Sequence, residues 1–238
     1  GYAPDENEAL AAHLRRLGYR LAVAAERSLL AGDEARGYND FFRGRLIFPI
    51  RDHLGRLVAF GGRAIAGGEP KYLNSRYTPD FHKSSTLFGL HRAKQELRED
   101  GRIVLCEGYL DVIACHRAGI RTACAPLGTA FGLRHAALVK RWADEAVVLF
   151  DPDESGRKAA LQAARLLEKE GLPVGIALLP VGMDPDDLLR TEGPARLVQA
   201  IESPLSPTRF LVAGLLRDWE IKEQTGPKEV PQGFWDEL

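Results

Sequence analysis

The 238 residues are 45% hydrophobic and 27% charged, an ordinary globular composition with room for one large domain or two small ones. The 32 Lys+Arg nearly balance 33 Asp+Glu, so net charge argues neither for nor against a polyanionic partner and the distribution must decide. No apolar run approaches the roughly 18 residues that span a membrane; Gly1-Tyr2-Ala3-Pro4 lacks signal-peptide order, and a cytoplasmic, monomeric piece of a longer chain is expected.

Residues 5–31 suit helices, with Leu10, Leu14 and Leu17 at spacings of four and three. In "RLIFPIRDHLGRLVAFGGRAI" (45–65) two β-type runs flank a His53-Leu54-Gly55 turn, which predicts a hairpin. Pro49 places the first strand at an edge or a bulge. From residue 101 short apolar strands alternate with helices: "RIVLC" before "YLDVIACHRAG", "RTACAPLG" before "LRHAALVKRW", "AVVLF" before "SGRKAALQAARLLEKEG", then "VGIALLP". That rhythm predicts an α/β fold with a mainly parallel sheet. After Pro204 the pattern is helical and then fades. Cys106, Cys115 and Cys124 form no CxxC pair, so reduced thiols and no zinc site are expected.

Ligands of an open parallel sheet bind beyond the carboxyl ends of its strands, and three strands deliver acids there. They are Glu107 after the first, Asp151 and Asp153 after the third, and Asp184, Asp186 and Asp187 after the fourth. Each has an ordinary explanation by itself, since Asp153, Asp184 and Asp187 suit helix caps and Glu107 a strand end. Caps do not explain three separate strand exits ending in acids. Unpaired carboxylates at one rim repel, and a hard divalent cation relieves them.

The order E-G, D-x-D-x-x-G, D-P-D resembles the TOPRIM domain shared by primases, topoisomerases and some nucleases. The segments "FRGRLIFPIRDHLGRLVAFGGRAI", "PKYLNSRYTPDFHKSSTLFGLHRAK", "EGYLDVIACHRAGI" and "LGTA" narrow this to the catalytic core of the bacterial DnaG-type primase. The resemblance implies a basic α+β subdomain (1–98), a TOPRIM domain (99–202) and a short helical tail (203–238). It implies synthesis of RNA primers from NTPs on single-stranded DNA, with two or more Mg²⁺ or Mn²⁺ ions. A replicative helicase would be met through a domain outside this chain. Glu107, Asp151, Asp153, Asp184 and Asp186 take the metal positions. Arg43, Arg45, Arg63, Lys71, Tyr72, Asn74 and Lys83 take nucleotide or template positions, Lys83 near the active site. Pro152 stands where the family usually has Gly, and Ser155 where it often has Ala. The match fades beyond Trp219.

The residues support that chemistry independently. Glu107 and Asp151 are the expected innermost ligands, Glu107 doubling as base. Asp153, Asp184 and Asp186 complete the shell; the resemblance, not the residues by themselves, adds Lys83 to the catalytic set. Nine cations crowd residues 36–83, as a triphosphate and template require. The rival enzyme readings are a TOPRIM-type nuclease and a phosphatase of the haloacid-dehalogenase kind with Asp151 as nucleophile. A non-catalytic nucleic-acid-binding module is the third.

Overall fold

The computed structural model describes residues 1–225. After β1 (Tyr2–Ala3), α1 (Ala9–Arg16) and α2 (Leu21–Glu26) close a small core around Ala11, Ala24 and Leu30. Leu10 and Leu14 pack there as their spacing predicts, whereas Leu17 lies past the helix end and is exposed. A two-stranded ribbon follows, β2 (Leu30–Asp33) with β3 (Gly37–Asp40). Its Asp40 carboxylate accepts the Leu10 and Ala11 N–H groups at 2.6 and 2.9 Å, satisfying first-turn donors that α1 leaves free.

The predicted hairpin forms from β4 (Arg45–Arg51) and β5 (Leu57–Ala64), and β6 (Tyr72–Asn74) extends it into an antiparallel sheet ordered β1-β4-β5-β6. Asp52 shapes the turn by accepting the Leu54 and Arg56 N–H groups, and Gly55 takes the left-handed φ of 85° that closes it. Pro49 pairs with Phe60, but β1 reaches only Leu46 and Arg45, so β4 is an edge at the proline. A register shift follows between Ile50 and Arg51.

A single 3₁₀ turn (Lys83–Ser85) leads to α3 (Leu90–Asp100), β7 (Arg102–Cys106), α4 (Tyr109–Arg117), β8 (Ala123–Cys124) and α5 (Leu133–Lys140). Then come β9 (Glu145–Leu149), α6 (Glu154–Lys169), β10 (Val174–Ile176), α7 (Pro185–Glu192), α8 (Pro194–Glu202) and α9 (Pro207–Thr225). The sheet is wholly parallel, ordered β10-β9-β7-β8. Alternate residues serve opposite faces. Ile103, Leu105, Ala146 and Val148 pack with α3, α5 and α6, while Val104, Cys106, Val147 and Leu149 pack with α4, α7 and α8. Burial on both faces is why these strands read as unbroken apolar runs. Two strands are shorter than their apolar stretches suggested, β8 having two residues and β10 three.

The boundary expected at 98/99 falls near the end of α3, whose Leu90, Ala93 and Leu97 pack in the core of the parallel sheet. A third core joins the two units: Phe48, Ile50 and Ala59 from the hairpin meet Phe81, Tyr109 and Leu127. The Tyr109 ring stacks on Phe48 at 5.0 Å and meets Phe88 edge-on at 4.8 Å. Among the described residues no helix is long and apolar enough to cross a membrane. The helical tail is present as α9, and the part of the fading segment from 226 to 238 lies outside the described residues.

Candidate active site

Strands β7 and β9 run side by side with Cys106 opposite Leu149, so Glu107 and Asp151 emerge at neighbouring strand ends. The Asp151 N–H donates to Glu107 Oε1 at 3.0 Å, a bond between residues 44 apart that fixes the glutamate across the gap. Gly156 makes this approach feasible: a Cβ there would lie 2.3 Å from the Asp151 carbonyl oxygen and 2.8 Å from Glu107 Oε1.

The other acids are held by helix starts. Asp153 caps α6, accepting the Gly156 N–H at 2.7 Å and the Ser155 hydroxyl at 2.9 Å. Those bonds, the Gly156 N–H foremost, hold its carboxyl below the ordinary range. Ser155, where the resembled family often has Ala, therefore adds a donor to the motif. Asp184 caps α7 through the Asp187 N–H at 2.7 Å. Asp186, in the first turn of α7, stands 4.0 Å from Arg117 of α4. The cap readings of Asp153 and Asp184 thus hold alongside their place on the rim.

Burial raises the Glu107 carboxyl, which the Asp151 N–H counteracts and the Asp151 and Asp153 charges reinforce. Asp151 is raised by burial, then by Asp184 and Asp153, and lowered by Lys71. One member of this group escaped the sequence reading. Asp111 lies at the third position of α4, where its carboxylate accepts the Gly108 N–H at 2.9 Å. Burial first, then the Asp151, Asp184 and Glu107 charges, push it up to about 7. The signal was present in "EGYLD": a helix starting straight after a strand-end Gly turns its third side chain back over the start.

Asp111 supplies a prediction with a definite sign. Its folded pKa is raised, so the stability tied to its proton is present below the unfolded value and is lost as pH rises toward 7. In EDTA, Asp111→Asn should exceed the parent in stability at about pH 8 by on the order of 1–2 kcal/mol or more, with the gap narrowing as pH falls toward about 5. Denaturant unfolding at both pH values measures it, and a gap that widens on acidification refutes the assignment.

The basic unit faces this rim through β6 and the residue before it. Tyr72 is raised by burial and by the charges of Asp111, Asp184 and Asp151, with Arg63 opposing. The Arg63 guanidinium lies 5.9 Å from the Tyr72 ring centre. Lys71, next along, supplies the cationic charge that reaches Asp151. Arg43 is exposed and bonds the Asn7 side chain. Lys83 is half-buried, which lowers its amine, and its carbonyl accepts from His135 Nε2 at 2.8 Å.

Two residues assigned to nucleotide or template contacts are not at a surface. Arg45 is buried and donates to the carbonyls of Pro70 at 2.7 Å and Gly62 at 3.5 Å, tying the sheet to the loop before β6. Asn74 is buried as well; its amide donates to the Leu127 carbonyl at 3.0 Å and its oxygen accepts the Tyr109 hydroxyl. Both position backbone here, because strand alternation turned these side chains inward.

Among the described residues no three His, Cys, Asp or Glu side chains stand close enough to form a ready-made ion site. Asp153 and Asp184 are turned into caps and Asp186 toward Arg117, so the five expected ligands share a rim without converging. The donors still fit a hard divalent cation. They are all carboxylate oxygens on three strand exits and α4, with burial first and then mutual repulsion raising Glu107, Asp111 and Asp151.

Residues 1–94 match the family "DNA primase catalytic core, N-terminal domain", and residues 104–189 match "Toprim-like". A DNA primase of Halalkalibacterium halodurans is 40% identical over 197 residues, covering 82% of this chain and 33% of that protein. This chain thus spans about a third of the length of such curated relatives. The crystal structure of the RNA polymerase domain of Mycobacterium tuberculosis primase DnaG superposes with a TM-score of 0.82 at 35% identity, over 91% of this chain and 73% of that one. A DnaG primase catalytic domain bound to ssDNA gives 0.80 at 35% identity, over 92% and 69%. With both units matched in order and the superposition carried through the sheet that bears the acids, the chain belongs to the bacterial DnaG-type primase catalytic cores.

Proposed function

We propose that this chain is a DNA-directed RNA polymerase core that joins ribonucleotides into short primers on a single-stranded DNA template. The observation that carries the reading is the facing of Arg63, Lys71 and Tyr72 against the carboxylates of Asp111, Asp151 and Asp184. Nucleotidyl transfer needs this opposition, cations for the triphosphate beside acids at the reacting end.

Glu107, Asp151, Asp153 and Asp184 would hold Mg²⁺ or Mn²⁺, with Asp186 and Asp111 beside them. A bound divalent cation supplies activation of the 3′-hydroxyl and charge neutralisation of the departing pyrophosphate. The primer's 3′ oxygen forms the new bond to the α-phosphorus as the bond to pyrophosphate breaks. Glu107, raised by burial and anchored by the Asp151 N–H, takes the hydroxyl proton. Lys71 and Arg63 bind phosphates, Tyr72 offers a ring to a base, and Arg43 and Lys83 extend the cationic surface toward template and triphosphate. The setting is a bacterial cytoplasm at a replication fork. The nuclease and phosphatase readings are not favoured by relatives that are primases.

The test is incubation of the purified chain with single-stranded DNA, labelled NTPs and Mg²⁺ or Mn²⁺. Short RNA products that require both template and cation are expected. Cation-dependent nicking of a plasmid without any RNA product would overturn the reading in favour of a nuclease.

A further inference from the structure

Away from the acid rim, a cleft of about 550 Å³ opens between β4 of the first unit and α3 and α4 of the second. Its floor is apolar, with Phe88 and Ile113 among the side chains, and its rim carries Arg51, Arg92 and Arg117. The imidazoles of His91 and His116 stand between them, and no carboxylate lines the cleft. All three arginines are exposed. Cations gathered without an acid among them repel one another, and a bound anion removes that cost.

The internal bonding leaves much of this basic character available. Arg51 donates to the Gly55 carbonyl at 2.8 Å. Among the described residues Arg117 is paired with Asp186, at 4.0 Å. His116 Nε2 meets the Ala123 carbonyl at 3.1 Å, but His91 Nδ1 is buried with no hydrogen-bond partner. Burial lowers His91, and the charges of Arg92 and Arg51 lower it further, which marks the positive field inside the cleft.

We propose that this cleft is a second nucleotide site, taking a phosphate on the Arg51, Arg92 and Arg117 rim and a base along the apolar floor. Guanidinium groups pair with phosphate oxygens in two-pronged fashion. The volume suits a ligand of nucleotide size, for which pockets run from roughly 300 to 1,000 Å³. The site is separate from the acid rim and needs no polymerisation to be occupied. Arg117 links the two places: a phosphate that recruits it competes with Asp186 at the start of α7. Occupancy of the cleft is thereby reported to the rim.

The phosphate has two chemical sources, a free nucleotide or a residue of a single strand, and the experiment separates them. Binding of N-methylanthraniloyl-labelled ATP and of a short labelled oligodeoxythymidylate is measured by anisotropy in EDTA, which silences the cation-dependent rim. Arg51→Gln combined with Arg92→Gln is expected to weaken binding on the order of tenfold. Ile113→Trp, which fills the cleft without changing charge, should weaken it as well. A charge-matched pair on α1, Arg15→Gln with Arg16→Gln, controls for general loss of positive charge. Loss for labelled ATP supports the site with a free nucleotide as ligand; loss for the oligonucleotide alone supports it with a strand as ligand. Absence of binding, binding that survives Ile113→Trp, or an equal loss in the α1 pair overturns the proposal.

Discussion

Glu107→Gln is expected to lower primer synthesis by roughly 10²–10³-fold while leaving the fold intact, the scale seen when one charge-stabilising group is removed from a reaction centre. The amide oxygen of glutamine still accepts the Asp151 N–H that Glu107 Oε1 accepts at 3.0 Å, so the strand-end geometry survives. What disappears is the negative charge and the proton acceptor. Removing that charge also relieves repulsion with Asp151 and Asp153, so thermal stability without cations should hold or rise. Activity and stability therefore move apart, a signature that a merely destabilising change does not give. The Asp151→Asn variant should behave alike, because Asp151 is raised by burial and by Asp184 and Asp153. Primer yields in the linear range, paired with melting curves in EDTA, check both variants; unimpaired synthesis by either would exclude it from the reacting centre.

Gly156→Ala is the second large expected effect, and its sign runs against propensity. Gly156 lies in α6, where replacing glycine by alanine ordinarily stabilises by about 1 kcal/mol. Here the new methyl would lie 2.3 Å from the Asp151 carbonyl oxygen and 2.8 Å from Glu107 Oε1. The first contact is backbone and cannot swing aside; either the start of α6 or the end of β9 must move. Overpacking of this kind costs about 1–3 kcal/mol, which outweighs the propensity gain. The displaced atoms belong to Asp151 and Glu107, so synthesis should fall at least as far as in Glu107→Gln. A chemical-denaturation midpoint lower than the parent's, together with lost primer synthesis, is the expected pair of results. A stabilised and active Gly156→Ala protein would mean that the Glu107 bridge is not the working arrangement.

Much of this architecture was legible before the coordinates. The parallel sheet followed from apolar runs too short for helices, alternating with helical stretches, and doubly covered strands β7 and β9 explain why those runs lacked alternation. The acids at three strand ends were legible because topology places such ends on one rim. Side-chain direction was less accessible. Arg45 and Asn74 have the residue types of a nucleic-acid surface, but whether a strand residue points in or out depends on which face is covered. Their inward hydrogen bonds could not be read from a list of basic residues. Asp111 was hidden for the opposite reason, since it reads as an ordinary first-turn helix acid until Asp151 and Asp184 are placed across from it.

Tyr109 opens the helix that carries Asp111, two residues after Glu107, yet its ring lies on Phe48 and its hydroxyl reaches Asn74. The half that carries the hairpin and the half that carries the acids are therefore not interchangeable cassettes. Exchange of either half with that of a distant relative would have to bring the facing aromatic surface along with it.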